Sequence, residues 1–386
     1  MKFRRIDELP PYVFATVDEL KRELRHAGRD VVDLGFGNPD IPSPEIAVEK
    51  LREAALKPAN HRYSASRGIA QLRRALSEHY ARRFGVELDP DTEVVSTIGA
   101  KEGLAHLMWV MLEPGDAAVV PTPCYPIHRV APTLTGATVV APPVEGAIEA
   151  IEEAVRATRP RIVIVSFPHN PTTTTATALD MQRLVDLARE REFLLVHDFA
   201  YADVAFDGHR PPSVLQADGA ATCAVELYSL TKSFSMAGWR MGFVVGRPDV
   251  VAALAKLKSY LDYGTFQPIQ IAATVTLRQA STYPAEVCDI YRRRRDALCA
   301  GLARAGWHVE PPLGTMFVWA PIPEPYRDDG SLSFALRLAR EADVAVSPGI
   351  GFGEGGDGHV RFALVENEQR IGQATRSIKK LLLAGL

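Results

Sequence analysis

One lysine stands in surroundings that do not read as a surface. Lys232 follows an apolar run at residues 223–229 and lies in Tyr228-Ser229-Leu230-Thr231-Lys232-Ser233-Phe234-Ser235-Met236-Ala237-Gly238-Trp239-Arg240, among hydroxyls and small residues. Most lysines are solvated charges. A lysine drawn out of water beside a second cation instead has a lowered pKa, and its neutral amine can attack a carbonyl. Ser229, Thr231 and Ser233 could donate hydrogen bonds to a phosphate, and Arg240 could add a charge-assisted one. Upstream, the apolar run 193–198 ends in Asp198, a carboxylate where parallel sheets bind ligands. A buried acid is costly unless paired. Thr97-Ile98-Gly99-Ala100-Lys101-Glu102-Gly103 ends a strand and opens a helix, whose first backbone N–H groups favour a phosphate. Arg361 heads the apolar run Val360-Arg361-Phe362-Ala363-Leu364, and its planar fork suits a carboxylate.

These groups need a scaffold, and the periodicity supplies one. Residues 31–37 read as a short strand into a glycine-rich turn ended by Asn38-Pro39-Asp40. Helical periodicity covers 46–56 and 68–84. From Asp91 onward, strand-length apolar runs at 117–120, 137–141, 161–167, 193–198, 223–229 and 241–245 alternate with helical stretches. Several are apolar throughout, as expected of strands covered by helices on both faces. The fold class is therefore α/β, with a mostly parallel sheet flanked by helices. Beyond about Tyr283 a charged helix at 285–305, an apolar run at 309–320, a helix, a strand, a glycine-rich turn, a strand at 360–365 and a final helix read as a smaller α+β domain. A length of 386 residues agrees with two or three domains.

The run S-x-T-K-S-F-S-M-A-G-W-R-M-G resembles the lysine signature of class I aminotransferases, pyridoxal-phosphate enzymes of fold type I. The resemblance implies that Lys232 bonds covalently to pyridoxal 5'-phosphate and later carries a proton from the substrate Cα, while Ser229 and Arg240 hold the phosphate. It assigns Asp198 to the pyridine nitrogen and Tyr201 to the ring oxygen. It gives Asn170, in Ser166-Phe167-Pro168-His169-Asn170-Pro171-Thr172, to the ring oxygen and the substrate carboxylate. By the same likeness, Ala100 and Lys101 offer phosphate-binding amides and Tyr125 stacks on the ring. Arg361 anchors the substrate α-carboxylate, Gly37 leaves that carboxylate room, and Tyr63 reaches the phosphate of a partner subunit. A homodimer with shared sites follows. The family builds its small domain from both chain ends, which implies residues 1–45 plus 285–386 as the smaller domain and 46–284 as the larger. The matches span residues 35 to 361.

Three segments, F-P-H-N-P-T-T, K-S-Y-L-D-Y-G-T-F-Q-P-I-Q-I-A and S-P-G-I-G-F-G-E-G-G-D-G-H-V-R-F-A-L-V-E-N-E, are similar to bacterial glutamate–pyruvate (alanine) aminotransferases, with diaminopimelate-aminotransferase-like proteins close by. Alanine or glutamate as donor, and pyruvate or 2-oxoglutarate as acceptor, are the expectation. Arg67 and Lys101 are candidate cations for a distal carboxylate. A C–S β-lyase or oxidase reaction on the same cofactor stays open. The fold also serves transcription regulators that carry an added helix-turn-helix, for which the 30 residues before Val31 leave no room.

Other signals point away from function. Gly351-Phe352-Gly353-Glu354-Gly355-Gly356 satisfies G-x-G-x-x-G, yet a strand follows it where a dinucleotide fingerprint needs a helix. The basic run at 292–295 reads as a solvated helix face. His169 reads as an incidental loop residue. Lys plus Arg total 44 against 47 Asp plus Glu, a balance that gives no reason to invoke nucleic acid or an anionic membrane. No apolar run is long enough to span a bilayer, and Ile6-Asp7-Glu8 argues against a secretory signal. Cys124, Cys223, Cys288 and Cys299 are scattered, without metal-site spacing, and fit a reducing, cytoplasmic setting. No metal is expected.

Overall fold

Uninterrupted apolar runs can be satisfied only where both faces of a sheet are covered, and the computed structural model, which describes residues 2–7 and 9–384, places them so. After a short β1 (Val32–Asp33) come the seven strands of the main sheet: β2 (Val94–Ile98), β3 (Ala117–Val119), β4 (Thr138–Val140), β5 (Ile162–Val165), β6 (Leu194–Asp198), β7 (Ala224–Ser229) and β8 (Met241–Gly246). Their order across the sheet is β2-β8-β7-β6-β5-β3-β4. All run parallel except β8, which is antiparallel to both neighbours. The start of β8 therefore lies on the same edge as the ends of the others. Ile98 pairs with Met241 and Ser229 with Gly242, so the residues around 99, 229 and 240 meet there.

Beneath Asp198 the sheet is pinned by a buried polar knot. Glu226, fully buried on β7, accepts hydrogen bonds from Tyr80 Oη (2.8 Å), Ser213 Oγ (2.8 Å), the Val214 amide (2.9 Å) and His197 Nδ1 (2.8 Å). A buried carboxylate is tolerable only with its lone pairs filled in this way.

The smaller unit carries the antiparallel sheet β11-β12-β9, where β9 is Phe317–Pro321, β11 is Ser347–Pro348 and β12 is His359–Ala363; β10 (Val344–Ala345) pairs in parallel with β1. One apolar core unites Val17, Val31, Val32 and Leu34 near the start of the chain with Tyr291, Leu298, Phe334 and Ile378 near its end. Tyr201, Val204 and Phe206, from the loop after β6, are inserted into the same core. The apolar residues of the main sheet form three other clusters. Among the described helices none is long and apolar enough to cross a membrane. Met1, Glu8, Gly385 and Leu386 lie outside the described residues.

Two strand expectations are too long by two residues or more: 137–141 holds only Thr138–Val140, and 161–167 only Ile162–Val165. The short strand expected within 31–37 is Val32–Asp33, and in the apolar run 309–320 the strand starts at Phe317, after Pro311, Pro312 and Gly314.

The basic run at 292–295 is a larger correction. It lies in the helix Tyr283–Arg304, but only Arg292 and Arg293 point to solvent. Arg294 and Arg295 are 6% and 4% exposed. Arg294 grips Asp40 through both η nitrogens (2.6 and 2.7 Å) and donates to the Leu364 carbonyl (2.9 Å). Arg295 pairs with Asp207 and packs over the Phe206 ring. Four consecutive helical residues cannot share one face, so at least one of them had to turn inward.

Arg294 is buried while its partner Asp40 is exposed, so removing the arginine costs its packing and the bond to the Leu364 carbonyl more than it strands a charge. Arg294→Ala should lower the unfolding free energy by about 2 kcal/mol, whereas Arg292→Ala should change it by no more than about 0.5 kcal/mol. Denaturant unfolding of the two variants checks the contrast, and equal effects would contradict it.

Candidate active site

A cavity of about 360 Å³ opens at the carboxyl edge of the main sheet, between it and the smaller unit. Each strand end feeds one wall. β2 leads through Gly99 to Ala100 and Lys101, β3 to Tyr125, β5 to Ser166 and Asn170, β6 to Asp198 and Tyr201, and β7 to Ser229 and Lys232. Arg240 enters just before β8. From the smaller unit come Gly37, Phe317, Phe352 and Arg361. Of the residues expected to hold cofactor or substrate, all but Tyr63, Ser233 and Arg67 line this one cavity.

Lys232 sits in the last turn of a short helix capped by the Ser229 hydroxyl, which accepts from the Thr231 amide (3.2 Å). Its Nζ donates to the Gly37 carbonyl (2.8 Å) and lies 6.0 Å from the Tyr201 ring centroid. Desolvation, and then the charges of Arg361 and Arg240, bring its pKa down to about 7. A large share of the amine is therefore neutral at physiological pH, the state that attacks a carbonyl.

On the far side of the cavity Asp198 is held from behind. His128 Nε2 donates to Asp198 Oδ2 (2.8 Å), and the Ala200 amide donates to Oδ1 (3.2 Å). Tyr125 meets the His128 ring edge-on, with centroids 5.8 Å apart. Burial raises the pKa of both Tyr125 and Tyr201, keeping both phenols protonated donors. At the opposite end Arg361 Nη1 donates to Asn170 Oδ1 (2.7 Å), a bond that joins the two units. Burial lowers the Arg361 pKa to about 10, which still leaves it charged.

Two glycines are required by contact. Gly99 has φ +78°, and a Cβ there would run into the Arg240 guanidinium. A Cβ on Gly37 would come within 2.6 Å of the Phe317 ring; in this structure the first obstacle is that ring.

Some expectations move. Ser233 is fully buried and is not part of the cavity wall. Arg67 is also outside it, donating to the Asp91 carbonyl, so of the two cations considered for a distal carboxylate only Lys101 is present. Tyr63 is 86% exposed and lies against Tyr263, with the rings tilted and their centroids 5.0 Å apart. His169 is buried and bonded to Thr172, and burial lowers its pKa to about 3, which suits a structural residue better than an acid or base. The glycine motif at 351–356 forms two short 3-10 turns running into β12.

Sequence reasoning missed His128, Phe317 and Phe352. His128 lies in the first turn of the helix Ile127–Thr135, just after Tyr125, and its edge contact with that ring is visible only in the fold. The two phenylalanines carry no local signal either.

The cavity suits the expected cofactor. Arg361 and Arg240 press their charge on Lys232, Lys101 lies on the same wall, and of the three lining carboxylates Asp18 and Asp33 are both bonded to Lys21, so the site favours a phosphate and a second anion. The amides of Ala100 and Lys101 open the helix Ala100–Met111 beside Arg240, a ready phosphate cradle.

Comparison with known proteins agrees with this chemistry. The family model described as Aminotransferase class I and II matches residues 29–378. The chain is 49% identical to the glutamate-pyruvate aminotransferase AlaC of Escherichia coli, over 99% of this chain and 94% of that protein. It is 40% identical to the LL-diaminopimelate aminotransferase of Moorella thermoacetica, over 98% of each. Apo-BacF from Bacillus subtilis superposes with a TM-score of 0.94 at 35% identity, covering 100% of this chain and 99% of that one.

In the cofactor-free protein, acylation of Lys232 by an amine-directed reagent should reach half its maximal rate near pH 7. Exposed lysines should do so near the ordinary value of about 10.4. Peptide mapping across a pH series measures it, and a Lys232 midpoint close to 10 would contradict the desolvated setting.

Proposed function

The chain belongs to the class I and II aminotransferases, which use pyridoxal phosphate, and from this premise we propose that it moves an amino group between alanine or glutamate and pyruvate or 2-oxoglutarate. The observation that carries the reading is the convergence of Lys232, Asp198 and Arg361 on one cavity. The substrate choice is supported by the likeness to a protein named glutamate-pyruvate aminotransferase and by Lys101 on the cavity wall, a cation suited to a distal carboxylate.

Pyridoxal phosphate, when bound, supplies a ring that accepts electrons from the substrate α-carbon. Each residue role follows as part of the proposal. Ser229, Arg240 and the amides of Ala100 and Lys101 hold the phosphate. Asp198, steadied by His128, would pair with the ring nitrogen. Tyr125 would cover the ring, and Tyr201 and Asn170 would donate to its oxygen. Lys232 would hold the cofactor covalently, and its neutral amine, once an incoming amino acid displaces it, would carry the proton from the substrate Cα. Arg361 and Asn170, next to Gly37, grip the α-carboxylate and so fix the direction of the Cα–H bond. Over a full cycle the amino acid would leave as a 2-oxo acid and a second 2-oxo acid would leave as an amino acid, the water consumed in the first half being returned in the second.

The active assembly in this reading is a homodimer in which Tyr63 reaches the partner's phosphate. Its support is a group of exposed aromatics: Tyr63, Tyr260, Tyr263, Phe266 and Trp109. Patches of this kind mark interfaces. Residues 1–45 with 285–386 are taken as the smaller domain and 46–284 as the larger, in keeping with their separate apolar cores. The four unbridged cysteines fit a cytoplasmic setting.

Mixing the yellow holoenzyme with alanine, and separately with glutamate, should convert it to the pyridoxamine form, with pyruvate or 2-oxoglutarate restoring the colour. No spectral change with either donor would overturn the substrate assignment. Lys232→Ala should lower kcat by about a thousandfold or more, the scale of a lost general acid–base group; turnover at the unmutated rate would refute its role.

A further inference from the structure

The guanidinium of Arg361 is held between two aromatic rings. Its central carbon lies 3.9 Å from the Phe317 centroid and 4.6 Å from the Phe352 centroid. Both rings are buried, and both line the cavity. Around the edge of the guanidinium, Nη1 donates to Asn170 Oδ1 (2.7 Å) and Nη2 to the Gly35 carbonyl and Ser347 Oγ (3.3 Å each), while the buried Nε has no partner. Aromatic faces suit the weakly hydrated faces of a guanidinium and leave its nitrogen edge free to bond.

Phe317 is fixed by β9 and by edge contact with Tyr201 at 5.8 Å. Phe352 itself belongs to no strand or long helix. It belongs to the glycine-rich turn that fails as a nucleotide motif, and that turn is built to hold it. Gly349 and Gly356 pack backbone to backbone so closely that a Cβ on either would overlap the other. Ser331 Oγ accepts from the Ile350 amide (3.0 Å), and the Phe352 carbonyl accepts from the Cys124 amide (2.9 Å), next to Tyr125. Phe14 and Trp319 meet the Phe352 ring edge-on, at 5.1 and 6.0 Å.

We propose that Phe352 is a positioning residue for α-carboxylate recognition: it closes an aromatic sandwich that keeps Arg361 flat and dry, with its nitrogen edge toward the carboxylate of the substrate. The inference rests on the reading of Arg361 given above. The α-carboxylate is common to amino acids and 2-oxo acids, so donor and acceptor should respond alike. A residue shaping the side-chain pocket would separate them.

The test is a series at position 352, with steady-state kinetics for alanine and for 2-oxoglutarate. Phe352→Leu should raise both KM values by about tenfold, the size of a desolvated cation–π contact. Its kcat should stay within about twofold, and its affinity for pyridoxal phosphate should not change. Phe352→Tyr should restore KM. Replacing Phe352 with progressively fluorinated phenylalanines, which keep the ring's shape and drain its face of charge, should raise KM stepwise, and this arm decides the matter if Phe352→Leu fails to fold. KM values insensitive to fluorination, or shifted for one substrate only, would overturn the proposal. Arg361→Leu separates the two readings. If its KM stays at the unmutated value, the role of Arg361 falls and the proposal with it. If its KM rises while the 352 series stays flat, only the role of Phe352 falls.

Discussion

An amine enclosed beside two arginines is a poor place to keep a proton, and the architecture of this enzyme is organised around that fact. Lys232 loses hydration to the cavity walls and faces Arg361 and Arg240, so its neutral form gains weight near pH 7. The same cations that expel the proton are the ones an anionic cofactor and substrate neutralise. Reactivity and binding thus draw on one charge distribution. It persists because Arg240 and Arg361 are each fixed by packing, the first against Gly99 and the second between Phe317 and Phe352.

Assembling such a site takes residues far apart in the chain, and one reversal of strand direction does much of the work. β8 runs against its neighbours, so its first residue reaches the edge where the parallel strands finish. Arg240 thereby joins Ser229 and Ala100 without a long connection. On the other side of the cavity, Asp198 gains rigidity from two directions. His128 supports its carboxylate, and the Glu226 knot locks the strand ends beneath it.

The main sheet was legible because its strands are apolar without alternation, and Lys232 and Asp198 stood out because each lies at or just past the end of such a strand, whereas Asn170 and Arg361 were singled out chiefly by the family likeness. What stayed hidden was set by contacts across long sequence distances. Arg294 meets Asp40 over 254 residues, and nothing local distinguishes it from the solvated Arg292 two places earlier. His128 carries chemical information only once Asp198, 70 residues on, is seen behind it. Ser233 was misjudged because a helical turn carries it away from Lys232's side of the helix. The failed nucleotide motif shows the reverse: the glycines were conspicuous, and their purpose became visible only with the neighbouring arginine.

All of the strand-borne chemistry gathers at one rim of the main sheet. The opposite rim carries turns such as those at Gly115, Glu192 and Gly219, none of which touches the cavity. The molecule is thus polarised between a rim where small displacements alter reactivity and one whose connections only have to close the chain. Peptide tags, added loops or surface attachment points belong on the second rim, where chain lengthening leaves the chemistry undisturbed.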